Sequence, residues 1–310
     1  SQDELAALLP KNIESIEVDY LAIGEGATTK GGVIRIKTKK EKDGGYSGYV
    51  GLKAGAMASY GYNSSSPTFV FDASVGKWTF NYYAVNQHQR LIEDATYNYL
   101  YDSGLKTNTA SETRSWANNF GNRLNISYEI NNRSTLAISE YVGNVNIKNR
   151  QNSFVETVLG DDQDAQESNT LIHGPESQFV QQTVAKYVLA TDDKGSSLEV
   201  TADYYHQNHH LTQIEDKDDV RTYENSTYEK TNMFQFYPKY THKFNGGKEL
   251  VAGADYQFIG YNDETDGLRN NADAHSASVY ANFSGMVKMV MQLMFLLVMI
   301  FFKKYCSLCP

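Results

Sequence analysis

The sequence predicts a mainly β protein: an antiparallel transmembrane β-barrel, represented by about ten strands and preceded by a two-stranded hairpin. Three observations carry this. From Tyr46 onward, apolar and polar residues alternate with period two over stretches of about 9 to 11 residues, enough to cross a bilayer. The connections between these stretches alternate between short and long, as expected when turns are tight on one side of a membrane and loops extended on the other. The 310 residues include 23 Tyr, 23 Gly and only 5 Pro, with 41% hydrophobic residues and a mean hydropathy of −0.51. That balance excludes a helical membrane bundle and favours strands with aromatic belts.

The hairpin comes first. In residues 14–18, Ile16 and Val18 alternate with Glu17, and in residues 33–38, Ile34 and Ile36 alternate with Arg35 and Lys37 after Val33. Each segment offers one apolar and one polar face. Gly24, Gly26, Gly31 and Gly32 lie between them and permit turns that a β-carbon resists. On periodicity alone this fits any small α+β hairpin.

The longer strands follow. The first, 48–59, sets Val50, Leu52 and Ala54 against Tyr49, Gly51 and Lys53; the second, 68–75, is turned at Gly76-Lys77 into a third beginning at Trp78. Leu124, Ile126 and Tyr128 alternate with polar neighbours before an Asn131-Asn132-Arg133 turn into 134–146. Residues 179–190 turn at Asp192-Asp193-Lys194-Gly195 into a strand with Leu198, Val200, Ala202 and Tyr204 on one face. Phe234, Phe236 and Tyr240 precede a turn at Asn245-Gly246-Gly247; Leu250 to Phe258 and residues 275–284 complete the series. Polar stretches at 60–67, 88–117, 149–176, 212–225 and 262–273 are expected as long loops on the opposite side. Pro238 removes a ladder donor and is expected at a bulge or strand end. A soluble carbohydrate-binding β-sandwich also alternates, but its strands are usually about 5 to 6 residues long and its loop lengths need not sort by end.

The order IESIEV, a glycine-punctuated bend, GGVIRIKTKK and then long alternating strands resembles the junction between plug and barrel in TonB-dependent outer-membrane receptors, and the VIRIKTKK wording resembles the Bacteroidetes branch. Where many members carry a Pro and a Tyr-Gly pair in the bend, this chain has Leu21-Ala22-Ile23-Gly24. The resemblance implies residues 1–40 as the C-terminal part of a small α/β plug domain and 41–285 as the N-terminal half of a barrel. Its junction motif comprises Ile16, Val18, Gly31, Gly32, Val33, Ile34 and Ile36. It further implies energy-coupled uptake of a nutrient ligand (an iron chelate, vitamin, glycan or peptide) at the outer membrane of a Gram-negative bacterium. The implied partners are outer-membrane lipid, a possible surface lipoprotein, and a TonB complex touching a segment upstream of Ser1. A signal peptide and most of the plug are expected upstream as well. A passive barrel or surface adhesin would share the strands but lack the junction motif.

Residues 286–310 differ in kind. Five of the seven Met and both Cys lie there, and none of the 37 acidic residues does. A helix, a lipid-facing anchor and a shifted reading frame compete; the frameshift is favoured, because a strongly apolar run risks arrest in the inner membrane during export. Cys306 and Cys309 have metal or redox spacing, but one such pair is weak evidence.

No enzymatic constellation is present: HExxH, GxSxG and GxxxxGK[ST] are all absent, and no cofactor or metal is expected. A net charge of −9 argues against nucleic acid. The candidate ligand contacts are Tyr83, Tyr205, His206 and His209. The adjacent pairs Tyr82/Tyr83 and Tyr204/Tyr205 must each send one ring to lipid and one to the lumen, where an aromatic can stack on a sugar. His209 and His210, pointing to opposite faces, cannot easily share an ion. Asp161, Asp162 and Asp164 lack EF-hand spacing, and a solvated loop explains them.

Overall fold

The computed structural model describes residues 13–19, 33–38, 45–57, 62–159, 166–284 and 297–305. All the described secondary structure is strand. β1 (Ile13–Asp19) and β2 (Val33–Thr38) form an antiparallel pair in which Ile16 stands opposite Ile36 and Val18 opposite Ile34. Both predicted hairpin strands are therefore present, while Gly31 and Gly32 lie outside the described residues.

The second sheet is a meander of ten strands, each hydrogen-bonded to its sequence neighbours: β3 (Gly45–Met57), β4 (Tyr62–Val75), β5 (Trp78–Leu100), β6 (Leu105–Asn131), β7 (Ser134–Leu159), β8 (Gln166–Ala190), β9 (Ser197–Lys217), β10 (Val220–Lys243), β11 (Glu249–Thr265) and β12 (Leu268–Ser284). β13 (Leu297–Tyr305) adds to the edge beyond β12. The mainly β, antiparallel fold predicted from the alternation is the one observed. Among the described residues, β3 pairs only with β4 and β13 only with β12, so the sheet has two open edges.

Three expectations need correcting. Most of the residues assigned to long loops are strand: β6 alone runs for 27 residues, against about 9 to 11 needed to cross a bilayer. The far connections between β9 and β10 and between β11 and β12 are two-residue turns at Asp218-Asp219 and Asp266-Gly267, all with positive φ. Backbone pairing continues beyond the point where side-chain alternation fades, because the ladder needs only N–H and C=O groups.

Pro238 marks neither a bulge nor a strand end. It stands opposite Val200 in an unbroken β9 register, and on the β11 side the ladder skips Tyr237 and Pro238 without changing register. Pro67 and Pro175 repeat this arrangement in β4 and β8, with gaps facing β5 and β9. Each proline turns its missing donor toward a local opening in the ladder.

The third correction concerns the apolar tail. Leu297–Tyr305 is a strand, not a helix, paired from Val279↔Leu297 to Asn271↔Tyr305. An open strand edge offers unpaired N–H and C=O groups to any extended segment within reach.

The registers align side chains into rows across the sheet. One row reads Ala73, Phe80, Ile126, Ile138, Ala185, Ala202, Phe236, Tyr256 and Ala277, from β4 to β12. The next on the same face reads Phe71, Tyr82, Leu124, Glu140, Thr183, Tyr204, Phe234, Phe258 and His275. Tyr204, Phe234, Phe236 and Tyr256 are exposed, whereas Thr201 and Asp203 on the opposite face are only 5% and 8% accessible. One face therefore carries an exposed apolar band and the other a more sheltered polar surface. Above the band, β5 to β10 continue as a polar overhang.

Candidate functional site: a polar row on the sheltered face

Tyr83 of β5, Arg123 of β6, Tyr141 of β7, Gln182 of β8 and Tyr205 of β9 stand directly opposite one another in successive registers. Neighbouring strands lie about 4.8 Å apart, so the row extends roughly 19 Å along the sheet. The Arg123 guanidinium sits 5.3 Å from the centre of the Tyr141 ring, and the Tyr205 hydroxyl donates to Gln207 Oε1 at 2.5 Å. Tyr141 has room to lie flat because its neighbours are Gly121 and Gly143: a β-carbon at Gly143 would meet the Tyr141 hydroxyl at 2.5 Å.

Beneath this row lies one of amides and carboxylates. Asn81 donates to Asp72 and Asn125 donates to Asn81 at 2.8 Å, while Gln182 donates to both oxygens of Asp203, at 3.2 and 2.9 Å. Lower still, Glu199 accepts from Lys186 at 2.9 Å and faces Lys239 at 3.4 Å. The arrangement offers aromatic faces, a guanidinium and amides to an extended polar ligand; it holds no nucleophile with an adjacent base.

Two concavities adjoin the sheet. One of about 770 Å³ is lined by Tyr49, Lys53, Tyr83, Gln87, Asn119 and Tyr141, mostly on the sheltered face. A larger one of about 1050 Å³ lies at the far end of the overhang, among Asp94, Glu112, Arg150, Asn152, Asp216 and Arg221. The smaller cavity is the better ligand candidate, because it contains the aromatic and amide groups of the aligned rows.

The four predicted contacts divide between the faces. Tyr83, Tyr205 and His209 lie on the sheltered face. His209 sits between two carboxylates, with Nε2 3.1 Å from Glu176 Oε1 and Nδ1 3.3 Å from Glu229 Oε2. His206 lies on the opposite face, with Nδ1 2.8 Å from Asn232 Oδ1 and its ring beside Phe179. It therefore does not share a site with Tyr205. His210 also faces outward, 3.0 Å from Ser226 Oγ. Arg123, Tyr141 and Gln182 were missed by sequence reasoning. Alternation places Arg123 with Asn125 and Tyr141 with Ser139 on one face, whereas counting from the Asn132-Arg133 turn alone would separate them, because the register shifts between Glu129 and Asn131; counting back from the turn after Ala190 pairs Gln182 with Tyr205. Among the described residues no group of three or more His, Cys, Asp or Glu is arranged to hold a metal.

Fold and site together define a class: an antiparallel meander sheet, apolar on one face and polar on the other. Among solved structures, the chain is similar to the ferric citrate transporter FecA in its unliganded form, with 13% identity and a TM-score of 0.41 over 88% of this chain. It spans about half (48%) of that transporter's length. It is also similar to the translocator domain of the autotransporter NalP from Neisseria meningitidis, with 11% identity and a TM-score of 0.24, covering 78% of this chain and 80% of that one. No protein-family model matches the chain, and no curated protein does.

Proposed function

We propose that this chain is part of an outer-membrane β-barrel receptor that takes up a nutrient ligand, with energy supplied through a plug. The observation carrying the reading is the band of Phe, Tyr, Ile, Leu and Ala side chains on one face of ten consecutive strands. A polar surface lies directly behind it, the two-faced pattern a membrane-crossing strand requires. In this reading the long overhang of β5 to β10 beyond the band marks the extracellular end, and the two-residue turns at Asp218-Asp219 and Asp266-Gly267 close hairpins there. The β1–β2 hairpin, resembling the end of a plug, favours a gated receptor over a passive barrel or adhesin. In this reading the row from Tyr83 to Tyr205 faces the lumen and binds a polar ligand by stacking and amide hydrogen bonds. Iron chelates, vitamins, glycans and peptides all fall within that chemistry, and an enzymatic role is not part of the proposal.

Membrane fractionation tests the barrel: the protein should sediment with outer membranes and leave them only in detergent, and recovery in the soluble fraction would refute it. Growth of a deletion strain on a panel of iron sources, glycans and peptides tests uptake. Loss of growth on one class would identify the ligand, and unimpaired growth on every member would count against a transport role.

A further inference from the structure

Above the apolar band on β5, β6 and β7, past a polar row of His88, Asn118 and Asn146, the outward face becomes basic. Arg90, Trp116 and Lys148 form one register row, and Ile92, Arg114 and Arg150 form the next. Arg114 and Arg150 are therefore direct cross-strand partners, a like-charge pairing that is unfavourable without an anion between or beside them. Glu112 supplies part of the compensation, accepting from Arg114 at 2.7 and 3.1 Å and attracting Arg150 across the same cavity wall. Lys148 and Arg150 are exposed and form no ion pair among the described residues. The Arg90 guanidinium stacks 5.8 Å from the Trp116 ring centre, and its buried Nε has no hydrogen-bond partner. The same two rows contain no carboxylate on β5, β6 or β7; acidic groups begin one row further out, with Asp94 and Glu112.

We infer that Arg90, Arg114, Lys148 and Arg150 form a docking surface for the phosphorylated headgroup of an outer-leaflet glycolipid. This rests on the barrel reading above. Charge complementarity and position select the occupant. The patch begins two rows above the outward Phe120, with the polar row His88, Asn118 and Asn146 between them, a position that suits a headgroup phosphate above the lipid-facing band. A guanidinium can grip that phosphate through two parallel N–H groups. Trp116 belongs to the interface, where one edge of an aromatic ring meets lipid and the other meets polar groups. A free anion in solution would gain nothing from the nearby band, which an acyl chain attached to the headgroup would reach.

The test uses the longest chain the gene encodes, purified in detergent from outer membranes. Binding is titrated by native mass spectrometry with bis-phosphorylated lipid A, with dephosphorylated lipid A and with inorganic phosphate. The triple variant Arg114→Gln/Lys148→Gln/Arg150→Gln should weaken bis-phosphorylated lipid A about a hundredfold, from roughly a fivefold contribution per cation. Arg114→Lys/Arg150→Lys should retain most of the binding, and Arg269→Gln, already paired with Glu264 at 2.8 Å, should leave it unchanged. Undiminished binding in the triple variant, equal binding of dephosphorylated lipid A, or displacement of the lipid by millimolar phosphate would each overturn the inference. Detergent dependence and heat-modifiable migration of every variant report separately on the barrel, so a failed patch is distinguishable from a failed barrel.

Discussion

At the scale of single residues, face decides consequence. Phe236 and Gln235 are neighbours in β10, but Phe236 belongs to the exposed apolar band and Gln235 to the sheltered polar surface. Phe236→Lys should cost about 2 to 4 kcal/mol when unfolding is followed in lipid vesicles, whereas Gln235→Lys should cost much less. Equal effects would contradict the assignment of faces. Gly143→Ala should force the Tyr141 ring away from its resting place, because the new methyl would meet its hydroxyl at 2.5 Å. The ring is movable, so ligand affinity should fall while stability changes little.

Asp192 gives a pH dependence with a definite sign. Its carboxylate accepts from Ser196 Oγ at 2.6 Å, from the Ser196 amide at 2.9 Å and from the Lys194 amide at 2.9 Å. The Ser196 hydroxyl, its largest influence, and these amides hold it below the ordinary 3.8. A depressed carboxylate stabilises the fold above its unfolded value, and that contribution disappears as pH falls through the folded value. The turn should therefore be unaffected from neutrality down to about pH 5 and loosen below the ordinary carboxylate value. Amide exchange at Lys194 and Ser196, corrected for intrinsic rate, should accelerate there. Asp192→Asn should abolish the pH dependence.

At the scale of elements, the turns explain what was legible. Gly76, Asn131-Asn132, Asp192 to Gly195 and Asn245 to Gly247 stand out because they interrupt strong alternation on both sides. The far turns at Asp218-Asp219 and Asp266-Gly267 were less visible, although Asp-Gly is itself a hairpin signal. Beyond the apolar band both faces of a strand are polar, so apolar residues no longer mark every second position and periodicity vanishes while the ladder continues. Asp218 and Asp219 have φ of 48° and 64°, a region in which a side chain costs about 1 to 2 kcal/mol. Asp219→Gly should raise the unfolding free energy measured in urea by up to about 1 kcal/mol, since glycine's gain in the turn is offset by its greater freedom when unfolded. The Pro238 opening has a matching constraint: a β-carbon at Gly253 would meet Pro238 O at 2.8 Å and the Tyr280 hydroxyl at 2.5 Å. Gly253→Ala should therefore destabilise by about 1 to 3 kcal/mol in the same measurement.

At the scale of the whole molecule, the two open edges dominate. Among the described residues β3 has an unpaired side along its length, and β13 covers only part of β12, from Asn271 to Val279. In the proposed barrel such a sheet must close, because each unsatisfied backbone group in hydrocarbon costs several kcal/mol. This length of chain, expressed in outer membranes, should remain cleavable by added protease along β3 and the lower part of β12; full protection would show that the edges are sealed.

The sequence by itself determined that the strands exist, their order, most of their near-side turns and which side chains share a face. Alternation is local, and Tyr82 must oppose Tyr83 wherever the strand goes. Only the tertiary structure decided that Tyr83, Arg123, Tyr141, Gln182 and Tyr205 form one row, and that Arg114 meets Arg150. Each such meeting depends on the register of every intervening hairpin, which turn geometry and bulges set one pair at a time. A change of two residues in any register preserves the alternation and the face of every side chain while changing its partners.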